Sequence, residues 1–519
     1  MKVSTIVIFL FALCALCPMT SGVGSLWGAP QGKLVVAQGS DPPTLDPLYD
    51  ASIPSGVILN NIYDCLVRRV FKDGRIQQEP MLATSWEMVN NTTWIFHLRR
   101  GVKFHNGEDF NAEAVKYNFE RVLKPGQKFK GLPNRRRYYF DYIESVDVMD
   151  PFTVKITTKT PIAFFIVNLG WGMPIVPPKY TAEKGDAFIS THPVGTGPFK
   201  FVRWVKDGET VLEANESYWG GPPGIKTLIF RPIPEDSIRL AALMGGDVDI
   251  AKNVPIHLVS MIKDSNRAKV ITTPGGLNLC VQLNSVRKGS PLQDKRVRQA
   301  INYGVDKESI VKHVLEGYGI PMASPLNPAH FGYNPNLKPY PFDPEKAKAL
   351  LKEAGYGNGL DLTFDSPMGR YAKDKEVAEA IVGQLAKVGI NIKLKVHEWG
   401  SYSLKIFSPE GADHMNSLAW AASFDADSIL VPLFYTGQTL SRYSNKQFDS
   451  LLDQARSTMD PKRREKIYHD ALDLIYDDAA SLFFYQGVDI YGVSNRVQNW
   501  KPTPDEAFTM ILHGAVVKD

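Results

Sequence analysis

Strand patterns and amphipathic helix patterns are mixed irregularly along the whole chain, and this mixture limits the fold more than any other feature. Residues 92–98 alternate between large apolar and polar side chains, which predicts a strand in an antiparallel pair. Residues 376–388 have apolar positions at helical spacing, and the alternating residues 390–396 that follow predict a strand. The sequence shows no internal repeat and no regular strand and helix alternation of the kind a barrel needs. We therefore expect an α/β fold.

Local signals predict several other elements. Asp343 is a helix cap and Pro344 occupies the first helical position, so a helix is predicted over 345–354, ending at Gly355. The turn-rich stretch 193–198 is interpreted as a candidate crossing between lobes. The remaining predictions are strands over 33–38, 152–158 and 481–491, and helices over 112–123 and 461–478.

The size of the chain predicts more than one domain, and its distribution of charge argues against binding to nucleic acid. A chain of 519 residues is well above the size of a single hydrophobic core, so two or three domains are expected. The 59 Lys and Arg residues nearly balance the 55 Asp and Glu residues, and the basic residues form no stripe. Because such a stripe is what neutralises a row of phosphates, nucleic acid is not an expected partner.

Residues 1–29 are predicted to be a secretory signal peptide. Lys2 supplies a positive start, residues 3–16 are almost wholly apolar, and a stretch of small residues follows. An apolar run of about 14 residues is too short for a membrane anchor, which needs about 20. Lipid attachment at Cys14 or Cys17 is the alternative, but both follow a leucine where a lipoprotein signal needs a small residue. We therefore expect export with cleavage and without a lipid anchor.

No pattern in the mature sequence predicts catalysis, a metal site or a cofactor. The ten histidines show no HExxH motif and no pairing at helical spacing. A nucleophile elbow and a phosphate-binding glycine loop are also missing from the sequence. Cys65 and Cys280 remain after export, and because both lie in apolar runs they are interpreted as core residues; a disulfide bridge between them is the alternative. We expect neither enzyme activity nor a cofactor.

Aromatic side chains are the more informative candidates for ligand contact. Aromatic residues make up 11% of the chain, and several lie in polar or glycine-containing stretches. A flat, rigid ring supplies contact area at a small entropic cost, so these stretches favour a ligand cleft. Trp399 and Trp420 are the leading candidates for ligand contact, and burial in an ordinary core is the alternative for each.

Motifs that together cover nearly the whole mature chain point to a known family. They are 33–38 (KLVVAQ), 43–47 (PTLDP), 79–86 (EPMLATSW), 94–107 (WIFHLRRGVKFHNG), 194–199 (VGTGPF), 215–219 (NESYW), 245–250 (GGDVDI), 294–302 (DKRVRQAIN) and 348–356 (KALLKEAGY). In this order they resemble the bacterial extracellular solute-binding proteins of family 5. This family contains the oligopeptide-, dipeptide- and nickel-binding components of ABC importers.

The resemblance implies a two-lobed periplasmic-binding-protein clamshell, type II-like, with an additional subdomain inserted in the first lobe. The implied bounds are 30–72, 192–272 and 484–519 for lobe I, 73–191 for the inserted subdomain, and 273–483 for lobe II. Strands that cross between the lobes would form a hinge. We expect ligand binding to close the lobes about it, because a solute that touches both lobes binds the closed state better.

The resemblance also implies where the ligand lies. In relatives, a Trp followed three residues later by Asp lines the cleft, and this Asp neutralises the amino group of a bound peptide. Here Trp420 matches, with Ala419 and Ala421 beside it, but Ser423 stands in place of the carboxylate. Serine offers no countercharge, so an unmodified peptide amine is expected to bind weakly unless Asp425 supplies the charge.

Asp427 is a second acid that could take this role, and a structural role in a loop and helix start is the alternative for both acids. Further cleft positions of the family map onto Ile53 in lobe I, Tyr139 in the subdomain and Tyr485 near the hinge. The implied ligand is a peptide or other small oligomeric solute. The implied partner is the permease of an ABC importer in the inner membrane, and the expected protein is a periplasmic monomer.

Two other functions stay open at this point. One is a carrier of a metal or metal chelate, as in the nickel-binding relatives, and His414 beside Asp413 is its best candidate residue. The interpretation of His414 as an exposed loop residue is preferred. The other is a secreted hydrolase, which is disfavoured because the sequence offers no nucleophile and base that can be paired.

Overall fold

The computed structural model describes residues 29–50, 52–129, 132–134, 136–408, 410–421 and 423–518. The predicted signal peptide lies outside these ranges apart from Ala29. Within the described ranges, no helix combines the length and the apolar character that crossing a bilayer requires.

Strands make up two substantial sheets and several short pairs. The strands are β1 (Gln31–Gln38), β2 (Val67–Lys72), β3 (Arg75–Pro80), β4 (Ala83–Asn90), β5 (Thr93–Leu98), β6 (Lys128–Phe129), β7 (Leu132–Pro133), β8 (Ile143–Asp150), β9 (Thr153–Thr158), β10 (Phe199–Trp204), β11 (Thr210–Ala214), β12 (Ile225–Pro232), β13 (Ile250–Ala251), β14 (Ala268–Leu283), β15 (Gly319–Pro321), β16 (Leu360–Met368), β17 (Ile390–Glu398), β18 (Met415–Trp420), β19 (Ser481–Ser494), β20 (Val497–Gln498) and β21 (Val516–Val517).

Helices are concentrated in the second half of the chain. They are α1 (Ile53–Ile62), α2 (Ala112–Leu123), α3 (Phe165–Gly172), α4 (Pro178–Lys184), α5 (Asp186–Ile189), α6 (Asp236–Gly245), α7 (Val259–Lys263), α8 (Lys295–Gly304), α9 (Lys307–His313), α10 (Pro344–Glu353), α11 (Asp374–Ala386), α12 (Trp399–Ile406), α13 (Asp427–Phe434), α14 (Lys446–Ser457), α15 (Pro461–Asp477) and α16 (Glu506–Thr509). Short 3₁₀ turns lie at Arg137–Tyr139, Ile256–Leu258 and Pro291–Gln293.

The main sheet runs through both lobes. Its strand order is β10-β11-β12-β1-β13-β19-β14-β18-β16-β17, and β15 pairs with β19 outside this path. We call the part from β10 to β13 lobe I and the part from β18 to β17 lobe II. The long strands β14 and β19, of 16 and 14 residues, belong to both lobes. One end of β19 pairs with β13 in lobe I, and the opposite end of β14 pairs with β18 in lobe II.

The lobes and the subdomain each have a separate hydrophobic core. In lobe I, α1 and the C-terminal segment pack against the strands, with Ile58, Phe230 and Tyr491 among the buried residues. In lobe II, helices α13 to α15 cover β14, β18 and β19. The four-stranded sheet β4-β5-β9-β8 and helix α2 enclose a third core. A further cluster joins α6 and α7 of lobe I to α8, α9 and α11 of lobe II along the two long strands.

The expected fold class is confirmed: the protein is an α/β clamshell of two lobes with an additional subdomain. The chain bounds assigned to each lobe stay a prediction. The loop at 193–198, expected as a crossing between lobes, leads from the subdomain into β10, and a side chain on Gly195 or Gly197 would overlap the backbone of Ile62. Close packing against α1 therefore requires glycine at these two positions.

Most predicted elements lie where local signals placed them. The Asp343 side chain accepts a hydrogen bond from the Lys346 N–H at 2.9 Å and caps α10 as predicted. Helix α11 begins at Asp374, two residues before the predicted start, because the Asp374 carboxylate accepts hydrogen bonds from the N–H groups of the turn before it. Cys65 and Cys280 are both buried and free, which confirms their interpretation as core residues.

Candidate ligand-binding site

The two lobes meet around a cleft beside the long strands. The Arg69 guanidinium, on β2, donates to Asp505 at 2.7 Å and lies 5.7 Å from the centre of the Phe424 ring in lobe II. The Ile76 N–H donates to the carbonyl of Ala329 at 3.1 Å. These contacts join lobe I and the start of the subdomain to lobe II. Strands β2 and β3 are therefore in direct contact with lobe II in this structure.

The mouth of lobe II is formed at one end of its strands. Strands β16 and β17 are parallel, and β18 is parallel to β16, so their carboxyl ends meet at the same edge of the sheet. Strand β16 is followed by a turn from Gly369, β17 by helix α12 from Trp399, and β18 by a loop from Ala421. In open α/β sheets, ligands bind outside the carboxyl ends of the strands. These three segments are therefore the candidate lobe II wall of the site.

Arg370 presents a charged group at this wall. Its exposed guanidinium lies 4.8 Å from the centre of the Trp399 ring and 5.7 Å from that of Tyr371. The Tyr371 hydroxyl accepts a hydrogen bond from the Ala419 N–H at 3.2 Å, and this bond holds the Tyr371 side chain at the end of β18. Within the described ranges no carboxylate pairs with the Arg370 guanidinium. A stacked, unpaired guanidinium is suited to a ligand carboxylate.

Trp420 ends β18 and is paired in register with Asn278 on β14. Its ring packs on the lobe II core, and its indole N–H donates to the carbonyl of Ser428 at 3.1 Å. The side chain remains partly exposed. Ala421 is also partly exposed just beyond the strand, whereas the Ala419 N–H is already bonded to Tyr371.

The loop after Trp420 is tightly built. Ser423 is buried, and Phe424 has a left-handed backbone with φ of 62°. The Phe424 carbonyl accepts a hydrogen bond from the Phe331 N–H at 2.9 Å, which holds the strained residue in place. The Phe424 ring lies 5.0 Å from that of His330, whose Nε2 is buried without a hydrogen bond in the described part of the chain.

Asp425 and Asp427 are engaged by arginines. The Arg464 guanidinium, on α15, donates to both oxygens of the buried Asp425 at 2.6 and 2.7 Å. Asp427 begins α13, and its Oδ1 lies 3.0 Å from the Arg456 Nε. Burial raises the pKa of Asp427 to about 6. Asp425 therefore holds the loop to α15, which matches the structural alternative considered from the sequence.

The other proposed site residues lie on three different parts of the molecule. Ile53 is the partly exposed first residue of α1 in lobe I. Tyr139 ends a 3₁₀ turn of the subdomain, and its ring packs edge-on against the exposed ring of Tyr138 at 5.3 Å. Tyr485 is buried on β19 beside Phe484, which leaves little of it open to a ligand.

The metal alternative receives no support from side-chain grouping. Across the described ranges, no three His, Cys, Asp or Glu side chains are placed to hold an ion together. His414 precedes β18, at the opposite end of the strand from Trp420, and its Nδ1 accepts a hydrogen bond from the Thr363 N–H at 3.1 Å. His414 is therefore remote from the cleft residues of this strand, and it is partly buried instead of fully exposed as preferred from the sequence.

Sequence reasoning missed Arg370, and it missed Asp489 on β19. The signal for Arg370 is its place directly after a strand of a parallel pair, two residues beyond Met368. Asp489 carries no such signal, because it lies in the middle of an apolar strand pattern. Whether the Asp489 carboxylate has a hydrogen-bond partner depends on how the two lobes pack, and the sequence does not show this.

A two-lobed clamshell with aromatic and charged groups at the strand ends of its cleft defines a solute-binding protein. Residues 77–441 match the family described as bacterial extracellular solute-binding proteins, family 5 Middle. The chain belongs to this family, as the resemblance in its motifs implied.

Several relatives are similar over almost their whole length. Heme-binding protein A of Haemophilus influenzae is 31% identical over 472 residues, covering 85% of each chain. Glutathione-binding protein GsiB of Pectobacterium atrosepticum is 31% identical over 498 residues, covering 93% of this chain and 94% of GsiB. The structure of the periplasmic binding protein DppA from Helicobacter pylori in complex with peptide STSA is 30% identical, with a TM-score of 0.77 and coverage of 94% and 98%.

Proposed function

We propose that this protein is the substrate-binding component of an ABC importer and captures a peptide or other small oligomeric solute that carries a carboxylate. Family membership supports the importer role. The observation that carries the proposal on the ligand is the Arg370 guanidinium, exposed, stacked on Trp399 and placed at the carboxyl ends of the lobe II strands. A ligand carboxylate would supply the countercharge for the Arg370 guanidinium, which no carboxylate of the described residues provides.

The relatives favour a ligand of this size. One is named for glutathione, itself a peptide with carboxylates, and one neighbouring structure holds the peptide STSA. The carrier of a metal chelate stays a prediction that no side-chain grouping favours. Ser423 continues to predict that recognition of a peptide amine does not occur at the position the family uses, and Asp425 is already neutralised by Arg464.

The family also bears on the export, location and partner of the protein. We propose that residues 1–29 are removed on export, that no lipid is attached, and that the mature chain acts as a periplasmic monomer that delivers its solute to a permease in the inner membrane. It binds no nucleic acid and catalyses no reaction. The matched family of extracellular binding proteins supports this setting.

Native mass spectrometry of the ligand-free mature protein, mixed with a tryptic casein digest and desalted, tests the function. Wild type is expected to retain peptides. Because a hydrogen bond to a charged group contributes about 1.5–3 kcal/mol, Arg370→Ala should retain roughly ten times less. Failure of wild type to retain any peptide would overturn the proposal.

Arg100→Ala is the matched control for Arg370→Ala. The Arg100 guanidinium is exposed and lies 4.8 Å from the centre of the Phe152 ring, so it has the same stacked geometry on the subdomain. This variant is expected to retain peptides as wild type does. Equal losses in both variants would show that loss of positive charge alone, and not the position of Arg370, weakens binding.

A further inference from the structure

The buried acids around the cleft are paired, with one exception. Asp425 is held by Arg464, Asp427 lies beside Arg456, and Asp505 accepts a hydrogen bond from Arg69. Asp489 on β19 differs, because its buried Oδ2 has no hydrogen bond and its carboxylate has no ion pair at contact distance among the described residues, whereas Asp427 has the ion pair with Arg456. A buried carboxylate without a partner is costly, and native structures rarely keep one without a reason.

Asp489 lies where the chain passes from one lobe to the other. On β19 it stands between Gly487, which pairs with β15 of lobe II, and Gly492, which pairs with β13 of lobe I. Strand alternation places its side chain on the same face as Tyr491, whose ring packs in the lobe I core beside the C-terminal segment. Helix α16 of that segment lies against both α1 and β14.

The neighbouring strand brings a glycine directly against the Asp489 carboxylate. Strand β14 bulges between Pro274 and Asn278, and Gly275 lies within this bulge. A side-chain carbon at Gly275 would lie 2.8 Å from Oδ1 and 3.0 Å from Oδ2 of Asp489. The lack of a side chain at Gly275 therefore leaves the carboxylate its place against the bulge. Asp489 as a whole is partly exposed, so part of the residue is in contact with solvent although Oδ2 is buried.

Charges around Asp489 do not replace a direct partner. Lys252, at the end of β13, is buried, and its charge lowers the pKa of Asp489 against the larger effect of burial, which raises it to about 6. Glu506 of α16 is a second acid near Lys252 and is bonded to the Trp500 indole at 3.0 Å. The neighbourhood therefore holds Asp489, Glu506 and Asp505 beside Lys252, and of these acids Asp505 is bonded to Arg69 whereas Asp489 has no direct basic partner in the described part of the chain.

We propose that Asp489 is the anchor for a cationic group of the solute, an ammonium or a guanidinium, at the crossing between the lobes. This inference rests on the proposed function and adds to it the charge of the ligand. It gives this chain an amine-binding carboxylate at a place other than Ser423. With Arg370 at the mouth of lobe II, the cleft is then complementary to a solute that carries both charges.

The experiment uses the casein digest in two forms, untreated and acetylated, so that the second lacks free amines but keeps its carboxylates and arginines. Wild type should retain at least tenfold more peptide from the untreated digest. Asp489→Asn should lose this preference and retain the same low amount from both. Selective retention of arginine peptides from the acetylated digest would identify the cation as a guanidinium and also support the proposal.

Two further variants keep the test decisive if Asp489→Asn folds poorly. Gly275→Ala places a methyl group over the carboxylate and should reduce the preference in the same direction. Asp264→Asn removes an exposed acid at the end of α7 and should behave as wild type. Equal retention of both digests by wild type, or an unchanged preference in Asp489→Asn, would overturn the inference and leave the proposed function standing. Retention of neither digest by wild type would overturn the proposed function itself.

Discussion

The loop after β18 and the crossing on β19 each contribute a carboxylate near the cleft, and they use it in opposite ways. Asp425 in the loop is bonded through both oxygens to Arg464. Asp489 at the crossing has an oxygen that is buried without any described partner. The same residue type thus holds the structure together in one region and remains uncommitted in the other. A carboxylate that is already paired with an arginine is not available to a ligand. An unpaired carboxylate is stabilised when a cationic group binds to it.

The difference also bears on the motion of the lobes. Asp425 and Arg464 both belong to lobe II, so their ion pair does not change when the lobes open. Asp489 lies on a strand shared by both lobes, between the parts that pair with β13 and β15. A cation bound there touches the hinge itself, and a ligand that prefers the closed state shifts the equilibrium towards it.

The largest effect is expected from Asp425→Asn. Removing one partner of a buried ion pair leaves the other charge uncompensated, which costs about 3–5 kcal/mol. Urea unfolding should show a loss of this size in the free energy of unfolding. Asp470→Asn is the control on the same helix as Arg464, since Asp470 pairs with Lys466 on the exposed face and should change stability by less than about 1 kcal/mol. Equal losses of stability in the two variants would contradict the structural role of Asp425.

The second prediction concerns the pH dependence of stability at Asp489. Its pKa in the folded protein is about 6, above the value near 3.9 in an unfolded chain. A raised pKa means that folding favours the protonated acid, so this contribution to stability is complete below about pH 4 and is lost as the pH rises through 6. Relative to Asp489→Asn, ligand-free wild type should lose up to about 3 kcal/mol between pH 4 and pH 7.5.

Other acids have raised pKa values too, including Asp64 and Asp505, both near 6 because of burial. The comparison of unfolding curves for wild type and Asp489→Asn at each pH removes their shared contribution. A constant difference between the two proteins across this range would show that Asp489 is already paired in the free protein. The contrast with Asp425 would then disappear.

A smaller effect is expected from Trp420→Ala. The partly exposed ring beside the Asp425 loop offers contact area to a solute, so the variant should weaken binding by roughly 1–3 kcal/mol. Calorimetry with a peptide identified from the casein digest measures this loss. The indole N–H bond to Ser428 is also removed, so unfolding of the free variant is measured alongside. Unchanged affinity in a folded variant would place Trp420 in the core alone.

The smallest effect is expected at the edge of the cleft. Arg75 pairs with Glu465 across the lobes at 2.7 Å, with both side chains partly exposed. Because exposed ion pairs contribute less than about 1 kcal/mol, Arg75→Glu should weaken ligand binding by less than about fivefold and raise the proportion of open molecules. Small-angle scattering should show contraction of wild type on adding a retained peptide and less contraction of the variant. An unchanged radius in wild type would contradict closure.

The sequence by itself determined the elements and the class of the protein. Alternation over 92–98 predicted strand β5, found at Thr93–Leu98, and the Asp343 and Pro344 pair predicted helix α10, because both signals act between residues close in the chain. The ordered motifs identified the family, and the family implied a clamshell. Trp420 was found in the same way, since it belongs to a contiguous family motif.

Only the tertiary structure decided which charges are free. Asp425 and Asp489 look alike in the sequence, yet the partner of Asp425 lies 39 residues further along the chain on another helix. Arg370 became a candidate only when Trp399 was found beneath its guanidinium. The strength of an electrostatic interaction depends on the distance between the charges and on the water excluded around them. Both quantities are fixed by how the lobes pack, and neither can be deduced from the order of residues alone.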